Sequence, residues 1–500
     1  GSLSTAGGTY NDTGLSASQT KYYRVTASDA AANSVTSAVA SGTTDAAAVA
    51  SIDFYLSQAL DTTAKVNCKV PSGLSTVIEY ADNTGFTSSS STAASTPDAS
   101  SKIAKFSITG LTANTQYYYR AIENGITDTR YGSFKTMQPE GTAQNIKFAV
   151  ASCGISSEAE STPVNSASNS ATYANALARN PDFVMHTGDF GYFDISTNDE
   201  TKFWQGFDYV ISRTNQKALY EGAGLHYIYD DHDYGINNAV ASSTSKVAAA
   251  AAHREYFPAT LNNTSGTVER AWTYGRVRFI MLDTHYEAVI ASETALGSTQ
   301  LTWFKAELTA ASSNPDIALV VVEHGEPWIA TNGDAWDQYA AERNDISNHI
   351  WSVGLEDKII FIAGDMHACA VNDGTNNNYD DSVRAGWPCL QSAPWDQTSS
   401  IKGGPWTTGP YPATAGTAST ELYSIVDITD NGTDPIQIDF NSYDDGDVLR
   451  LTYSYTLPVQ GSLSSVSASS SSYTGQLKYN SSFDSVSDSI SAYNGTLKQY

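Results

Sequence analysis

From residue 141 to residue 460 the chain alternates between two kinds of stretch, and few folds accommodate that alternation. Runs at 146–151, 183–186, 225–229, 277–282, 317–322 and 359–363 are β-branched and nearly continuous, as strands buried on both faces are. Stretches of helical character at 171–178, 199–211, 242–256, 299–311 and 337–352 separate them. The alternation predicts an α/β layered sandwich, with further short strands near 422–428, 436–440 and 449–457.

Charge and histidine concentrate in the same block. The chain carries 27 Lys+Arg against 53 Asp+Glu, and residues 141–460 hold 16 of the basic and 40 of the acidic side chains. All eight histidines, from His186 to His367, lie there too. A field of this sign excludes a phosphate-backbone binder, which needs a basic face to release counterions. No run of 18 apolar residues is present to form a transmembrane helix. The first residues, Gly1-Ser2-Leu3-Ser4, show no charged or apolar leader, so either a signal peptide has been removed or they are vector-derived. Four cysteines are too few for a disulfide scaffold, and the spacing of Cys369 and Cys389 permits a bridge without requiring one.

The two ends of the chain read differently. Gly14-Leu15-Ser16-Ala17-Ser18-Gln19-Thr20-Lys21-Tyr22-Tyr23-Arg24-Val25 recurs 96 residues later as Gly110-Leu111-Thr112-Ala113-Asn114-Thr115-Gln116-Tyr117-Tyr118-Tyr119-Arg120-Ala121. A turn, a Leu and an alternating Tyr-rich strand make a β-sandwich corner, where a Tyr hydroxyl bonds back to the chain. This resembles fibronectin type III modules, an immunoglobulin-like all-β fold. The division expected is a partial module over 1–44, a complete one over 45–140, a catalytic body over 141–460 and a Ser-rich tail over 461–500. The partial module has about three strands where such a module needs seven, which leaves open edges. The tail repeats Tyr473-Thr474-Gly475 as Tyr493-Asn494-Gly495. It reads either as a glycan-bearing linker or as strands donated to the partial module of a neighbouring copy, giving a head-to-tail homopolymer.

Chemistry gathers at the strand ends. Cys153 follows the first run. His186-Thr187-Gly188-Asp189-Phe190-Gly191-Tyr192 closes the second, Asp230-Asp231-His232-Asp233 the third and Gly364-Asp365-Met366-His367 the last. Val322-Glu323-His324 has the same form. In α/β sheets ligands bind at the carboxyl ends of strands, so these ends are expected to converge on one crevice. Thiolate, phenolate, carboxylate and imidazole together suit a trivalent or borderline transition ion, and carboxylates with water suit Ca²⁺ or Mg²⁺.

Ser152-Cys153, Gly188-Asp189-x-x-Tyr192, Asp230-Asp231-His232-Asp233 and Gly364-Asp365-x-His367 together resemble the calcineurin-like metallophosphoesterase superfamily, and within it the PhoD-type alkaline phosphatases. Cys153 and Tyr192 stand at the two places where the PhoD type departs from the wider superfamily. The resemblance spans residues 45–458 and implies a metallophosphoesterase-type β-sandwich flanked by helices. It implies a secreted hydrolase, extracellular or at the cell surface, that cleaves phosphate esters with a hydroxide held by a metal pair. It further implies Fe³⁺ on Cys153, Asp189, Tyr192 and His367, with Ca²⁺ on a bridging Asp189, Asp231 and Asp365. His232 takes the place that faces the scissile phosphate. His324 takes the superfamily's usual metal-binding position, which leaves two readings of the second metal: calcium, or a softer ion partly held by His324. Phenolate on iron(III) would colour the protein. The alternative class is a filament-forming structural protein with a phosphatase-like body.

Overall fold

The computed structural model describes residues 12, 19–43, 50–154, 168–263, 266–331, 335–416, 421–433 and 435–457. Residues 19–43 form two antiparallel ribbons, Thr20–Tyr23 with Ala40–Thr43 and Thr26–Ser28 with Ser34–Thr36. Tyr22, Val25, Val35 and Val39 are exposed there. The tail strands expected to cover such a surface fall outside the described residues.

The second copy of the repeat builds a β-sandwich. Tyr55–Ala59, Thr63–Lys69 and Ile103–Thr109 form one sheet. Thr76–Ala81, Ser90–Ser91, Gln116–Glu123, Ile126–Thr127 and Gly132–Lys135 form the other. Alternation decides what lies between them: Tyr117, Tyr119 and Ala121 turn inward from one strand to meet Val66, Ile78, Phe106 and Phe134. The expected corner is present, since the Thr112 amide donates to the Tyr117 hydroxyl at 3.0 Å. In the first copy Lys21 occupies that register, so the earlier repeat lacks the corner side chain.

Two larger sheets pack face to face behind this sandwich. The six-stranded sheet runs Gly224–Ile228, Phe183–Thr187, Ile146–Ala151, Leu422–Thr429, Gln437–Asp444 and Leu449–Thr456. The seven-stranded sheet runs Arg270–Tyr274, Val277–Met281, Leu319–His324, Ile359–Ala363, Cys389–Gln391, Cys369–Asn372 and Thr408–Tyr411. The first three strands of the six-stranded sheet are mutually parallel, as are the four from Val277 to Gln391 in space. Their inner faces share one core: Phe148 stacks on Phe183 with ring centroids 5.0 Å apart, and Phe279 meets both edge-on. Helices cover the outer faces. Ser170 caps Ala171–Ala178, and Asp199 caps Glu200–Ile211 through its side chain.

The structure corrects several boundaries. Helices Lys246–Tyr256, Gly297–Ser313 and Ala340–Val353 shift by a few residues, and Thr214–Gly222 is an additional helix. Its sequence mixes polar and apolar residues without a clean stripe, so burial against the sandwich and not periodicity defines it. Strands Arg270–Tyr274, Cys369–Asn372, Cys389–Gln391 and Thr408–Tyr411 are short and flanked by turns, which hides them in the sequence. Cys369 and Cys389 are both free and buried.

The small sandwich is bonded to the large sheets. Gln58 reaches His226 at 2.7 Å, Tyr274 donates to the Ala59 carbonyl at 2.6 Å, and Asn67 donates to the Tyr256 carbonyl at 3.0 Å. Removing the Tyr117 hydroxyl leaves the Thr112 amide without that acceptor. Tyr117→Phe is expected to lower stability by about 1 kcal/mol, measured by denaturant unfolding. The substitution is expected to leave metal content unchanged.

Candidate metal centre

Four strand ends deliver the chemistry, three from one sheet and one from the other. Ile146–Ala151, Phe183–Thr187 and Gly224–Ile228 end side by side at Cys153, Asp189 and Asp231, and Ile359–Ala363 ends at Asp365 from across the core. Three of the four ends then turn sharply, while the one at Asp231 enters a short helix. Cys153, Asp189, Asp365 and His367 all adopt left-handed backbone conformations, with φ of 59°, 51°, 62° and 51°. A non-glycine residue in that region is strained, and such strain concentrates at functional sites. The turns aim four donor side chains at one point: ligand atoms of Cys153, Asp189, Asp365 and His367 lie within 4.8 Å of one another.

Close backbone approach makes the turns possible. A Cβ on Gly188 (φ 96°) would sit 2.3 Å from the Asp230 Cβ, and one on Gly364 would sit 2.6 Å from both the Ser152 and Thr187 hydroxyls. Ser152 accepts from the Asp365 amide at 3.0 Å, and the Cys153 and Gly154 amides donate to the Gly188 and Asp189 carbonyls. Sequence neighbours of the ligands therefore fix the turn from below.

Two further groups share these acids. Asp189, Asp231 and His232 bring ligand atoms within the same 4.8 Å span, as do Asp230, Asp231 and Asp365. Asp189 thus belongs to the first group and to one of the others, and Asp365 likewise, which is the arrangement a bridging carboxylate needs. Tyr192 places its hydroxyl 2.9 Å from His367 Nε2, while His367 Nδ1 lies 2.8 Å from the Thr398 carbonyl. A proton on Nδ1 satisfies that carbonyl and leaves Nε2 as the donor atom. His232 stacks on the Tyr192 ring, and its Nδ1 lies 2.7 Å from Asp194.

The electrostatics share one cause. Burial pushes the Asp189 carboxyl, the Cys153 thiol and the Tyr192 phenol all well up, and neighbouring acids add to the effect. Burial also pushes His367 down to about 4. For His232 burial opposes the cation, but Asp189, Asp194 and Asp231 prevail and raise it to about 10. Anionic donors crowd a dry pocket, and one Asp189 oxygen is buried without a hydrogen-bond partner. A thiol, a phenol, carboxylates and an imidazole so placed fit a transition ion beside a second cation.

Of the residues expected at the site, Cys153, Asp189, Asp365 and His367 form one group, Tyr192 touches it through His367, and Asp231 and His232 adjoin it. His324 does not join them. Strand alternation sends Val321 and Glu323 into the core between the sheets and turns His324 outward, against Trp328, Trp336 and Phe361. Its Nδ1 is bound to the Glu326 carbonyl. The reading of a softer second ion on His324 is therefore corrected. His186 is fully buried in an aromatic cage of Phe190, Tyr227 and Trp395.

Four supporting residues were not singled out in the sequence as site residues. His285 pairs with Asp230, and burial with that pairing holds Asp230 at about 6. Asp233 accepts from the Phe190 and Asp230 amides and the Tyr227 hydroxyl, which pins the loops after two strands together. Asp194 orients His232, and Lys402 reaches Asp365 at 2.8 Å. Of these four only Asp233 lay inside a legible motif. Trp395 closes the core from below, stacked on Tyr173 at 4.5 Å.

The chain resembles known proteins in sequence and in fold. Residues 148–393 match the family model of the PhoD-like phosphatases. Alkaline phosphatase D of Bacillus subtilis is 24% identical over a 314-residue alignment covering 52% of this chain and 52% of that protein. The chain thus spans about half the length of the curated relative it matches. The solved structure of PhoD superposes with a TM-score of 0.61 at 18% identity, covering 82% of this chain and 93% of that one. A purple acid phosphatase from yellow lupin (Lupinus luteus) seeds gives 0.57 at 11% identity, covering 85% and 77%. These likenesses show that the chain shares the fold of those two structures.

The turn geometry is directly testable. Gly364→Ala inserts a methyl group against two buried hydroxyls, so the purified variant is expected to lose bound metal and to melt at a lower temperature. Metal analysis and thermal unfolding measure both, and full metal content in the variant would contradict the role assigned to this turn.

Proposed function

We infer that this chain, whose residues 148–393 match the family model of the PhoD-like phosphatases, is a metal-dependent hydrolase of phosphoric esters. The observation that carries the reading is the meeting of Cys153, Asp189, Asp365 and His367, each on a left-handed turn, within ligand distance. Under this reading Cys153, Asp189, Tyr192 and His367 hold Fe³⁺, and Asp189, Asp231 and Asp365 hold Ca²⁺. When bound, such a pair supplies positive charge for the phosphoryl oxygens and acidifies water toward neutral pH.

The chain's own residues supply orientation and proton transfer. Asp189 spans the two groups, so its carboxylate fixes their separation. Asp194 holds Nδ1 of His232, which leaves Nε2 as the atom to meet the ester. Tyr192 beneath the His232 ring limits its rotation. In this position His232 donates a proton to the leaving alkoxide, while Asp194 stabilises the ring orientation that does so. Trp395, Tyr173 and His186 close the floor of the site to water. Among the described residues no helix is long and apolar enough to cross a membrane.

Metal-loaded protein is expected to hydrolyse chromogenic phosphate mono- or diesters and to lose that activity on chelation. His232→Ala should lower kcat by roughly 10²- to 10⁴-fold with metal content unchanged. Wild-type turnover in the variant would remove His232 from the mechanism, and an inert metal-loaded wild type would overturn the phosphoesterase reading.

A further inference from the structure

The loop that follows the Gly364-Asp365-Met366-His367 motif and runs through Gly403-Gly404-Pro405-Trp406 places a cation at the site. Lys402 lies in it, and its Nζ is 2.8 Å from Asp365 Oδ1. The Lys402 side chain keeps 22% of its surface exposed against 7% for Asp365, so the lysine is the more solvent-accessible partner of the pair.

The ion pair is not what holds this loop. Gly404 donates to the Ile329 carbonyl at 2.7 Å, Asn372 to the Pro405 carbonyl at 3.0 Å, and Thr407 to the Val371 carbonyl at 2.8 Å. On the other side the Thr398 carbonyl meets His367 at 2.8 Å, and Ile401 packs on Met366, Ala368 and Ala370. Gly403 (φ 72°) lies so close to the Ile329 carbonyl that a Cβ would come within 2.5 Å of it. The backbone on both sides of Lys402 is thus fixed by contacts that do not involve its charge. A strongly acidic chain has a further need for such a cation, because its field disfavours a phosphate ester approaching the site.

We propose that Lys402 binds a non-bridging phosphoryl oxygen of the substrate, with Asp365 holding the ammonium in place until the ester arrives. The proposal rests on the phosphoesterase reading above and deepens it: the ligand is a phosphate ester or its product, inorganic phosphate. A lysine serves here as a point charge, and charged hydrogen bonds of this kind are the strong ones.

The test uses the full chain loaded with metal, in wild-type form and as Lys402→Gln and Lys402→Arg. Inorganic phosphate is titrated calorimetrically, kcat and KM are measured on a chromogenic phosphate ester, and bound metals are counted. Lys402→Gln is expected to weaken phosphate binding and raise KM by roughly 10- to 100-fold, with metal content unchanged and most of the loss recovered in Lys402→Arg. Wild-type phosphate affinity in Lys402→Gln would overturn the proposal. A gain of bound cation in that variant would also overturn it, because Lys402 would then be occupying a cation's place. A wild type that neither binds phosphate nor cleaves the ester removes the phosphoesterase reading itself, a result distinct from failure of the variant alone.

Discussion

Crowding of acidic donors in a dry pocket is the constraint around which the rest of the molecule is arranged. Cys153, Asp189 and Asp365 are buried, and Tyr192 and Asp231 scarcely less so. Left uncompensated, such a cluster would oppose folding by several kcal/mol for each buried charge. The two sheets are what make the crowding possible. Parallel strands end at a common level, and the ends at Cys153, Asp189 and Asp365 turn through left-handed residues, with the Cys153 and Gly154 amides bonded to the Gly188 and Asp189 carbonyls. The glycines at 188 and 364 let those turns approach within van der Waals contact of their neighbours. Cations relieve the crowding, so metal binding and stability of the body are coupled in this account.

Support radiates outward from the cluster. Asp233 ties two ligand loops together, His285 compensates Asp230, and Asp194 sets the ring of His232. The small sandwich contributes nothing to the ligand set, yet it braces the sheet that carries three of the four ligand-bearing ends. Lys69 joins Asp208 and Tyr256 across the junction, and Gln58 fixes the His226 ring that stacks on Trp272. The first repeat has no equivalent anchoring side chain at Lys21, which is consistent with the exposed Val25 and Val35 of its ribbons.

Much of the site was legible because ligand chemistry leaves residues at fixed short spacings. Gly188-Asp189-x-x-Tyr192 and Gly364-Asp365-x-His367 are read without knowing the fold, and the strand before each is apolar enough to be seen. His324 misled for a definite reason. It closes a strand as the others do, but a period of two assigns opposite faces to adjacent residues, and the sequence does not say which face looks inward. Leu319 and Val321 lie in the core between the sheets, so alternation puts Glu323 on their face and His324 on the opposite one, with Val320 and Val322. Asp194 and Lys402 were hidden for another reason: each acts through a neighbour distant in sequence, His232 at 38 residues and Asp365 at 37. No local pattern carries such a pairing. The short strands at 369–372, 389–391 and 408–411 were equally hidden, because their pairing partners and not their composition define them.

The proposed metal centre requires a transition ion in the cluster with the Cys153 sulfur among its ligands. X-ray absorption at the edge of the bound metal in the purified protein measures this without reference to activity. The expected spectrum contains one sulfur scatterer together with a shell of oxygen and nitrogen, and the sulfur disappears in Cys153→Ser. A shell of oxygen and nitrogen alone in the wild type would contradict the claim.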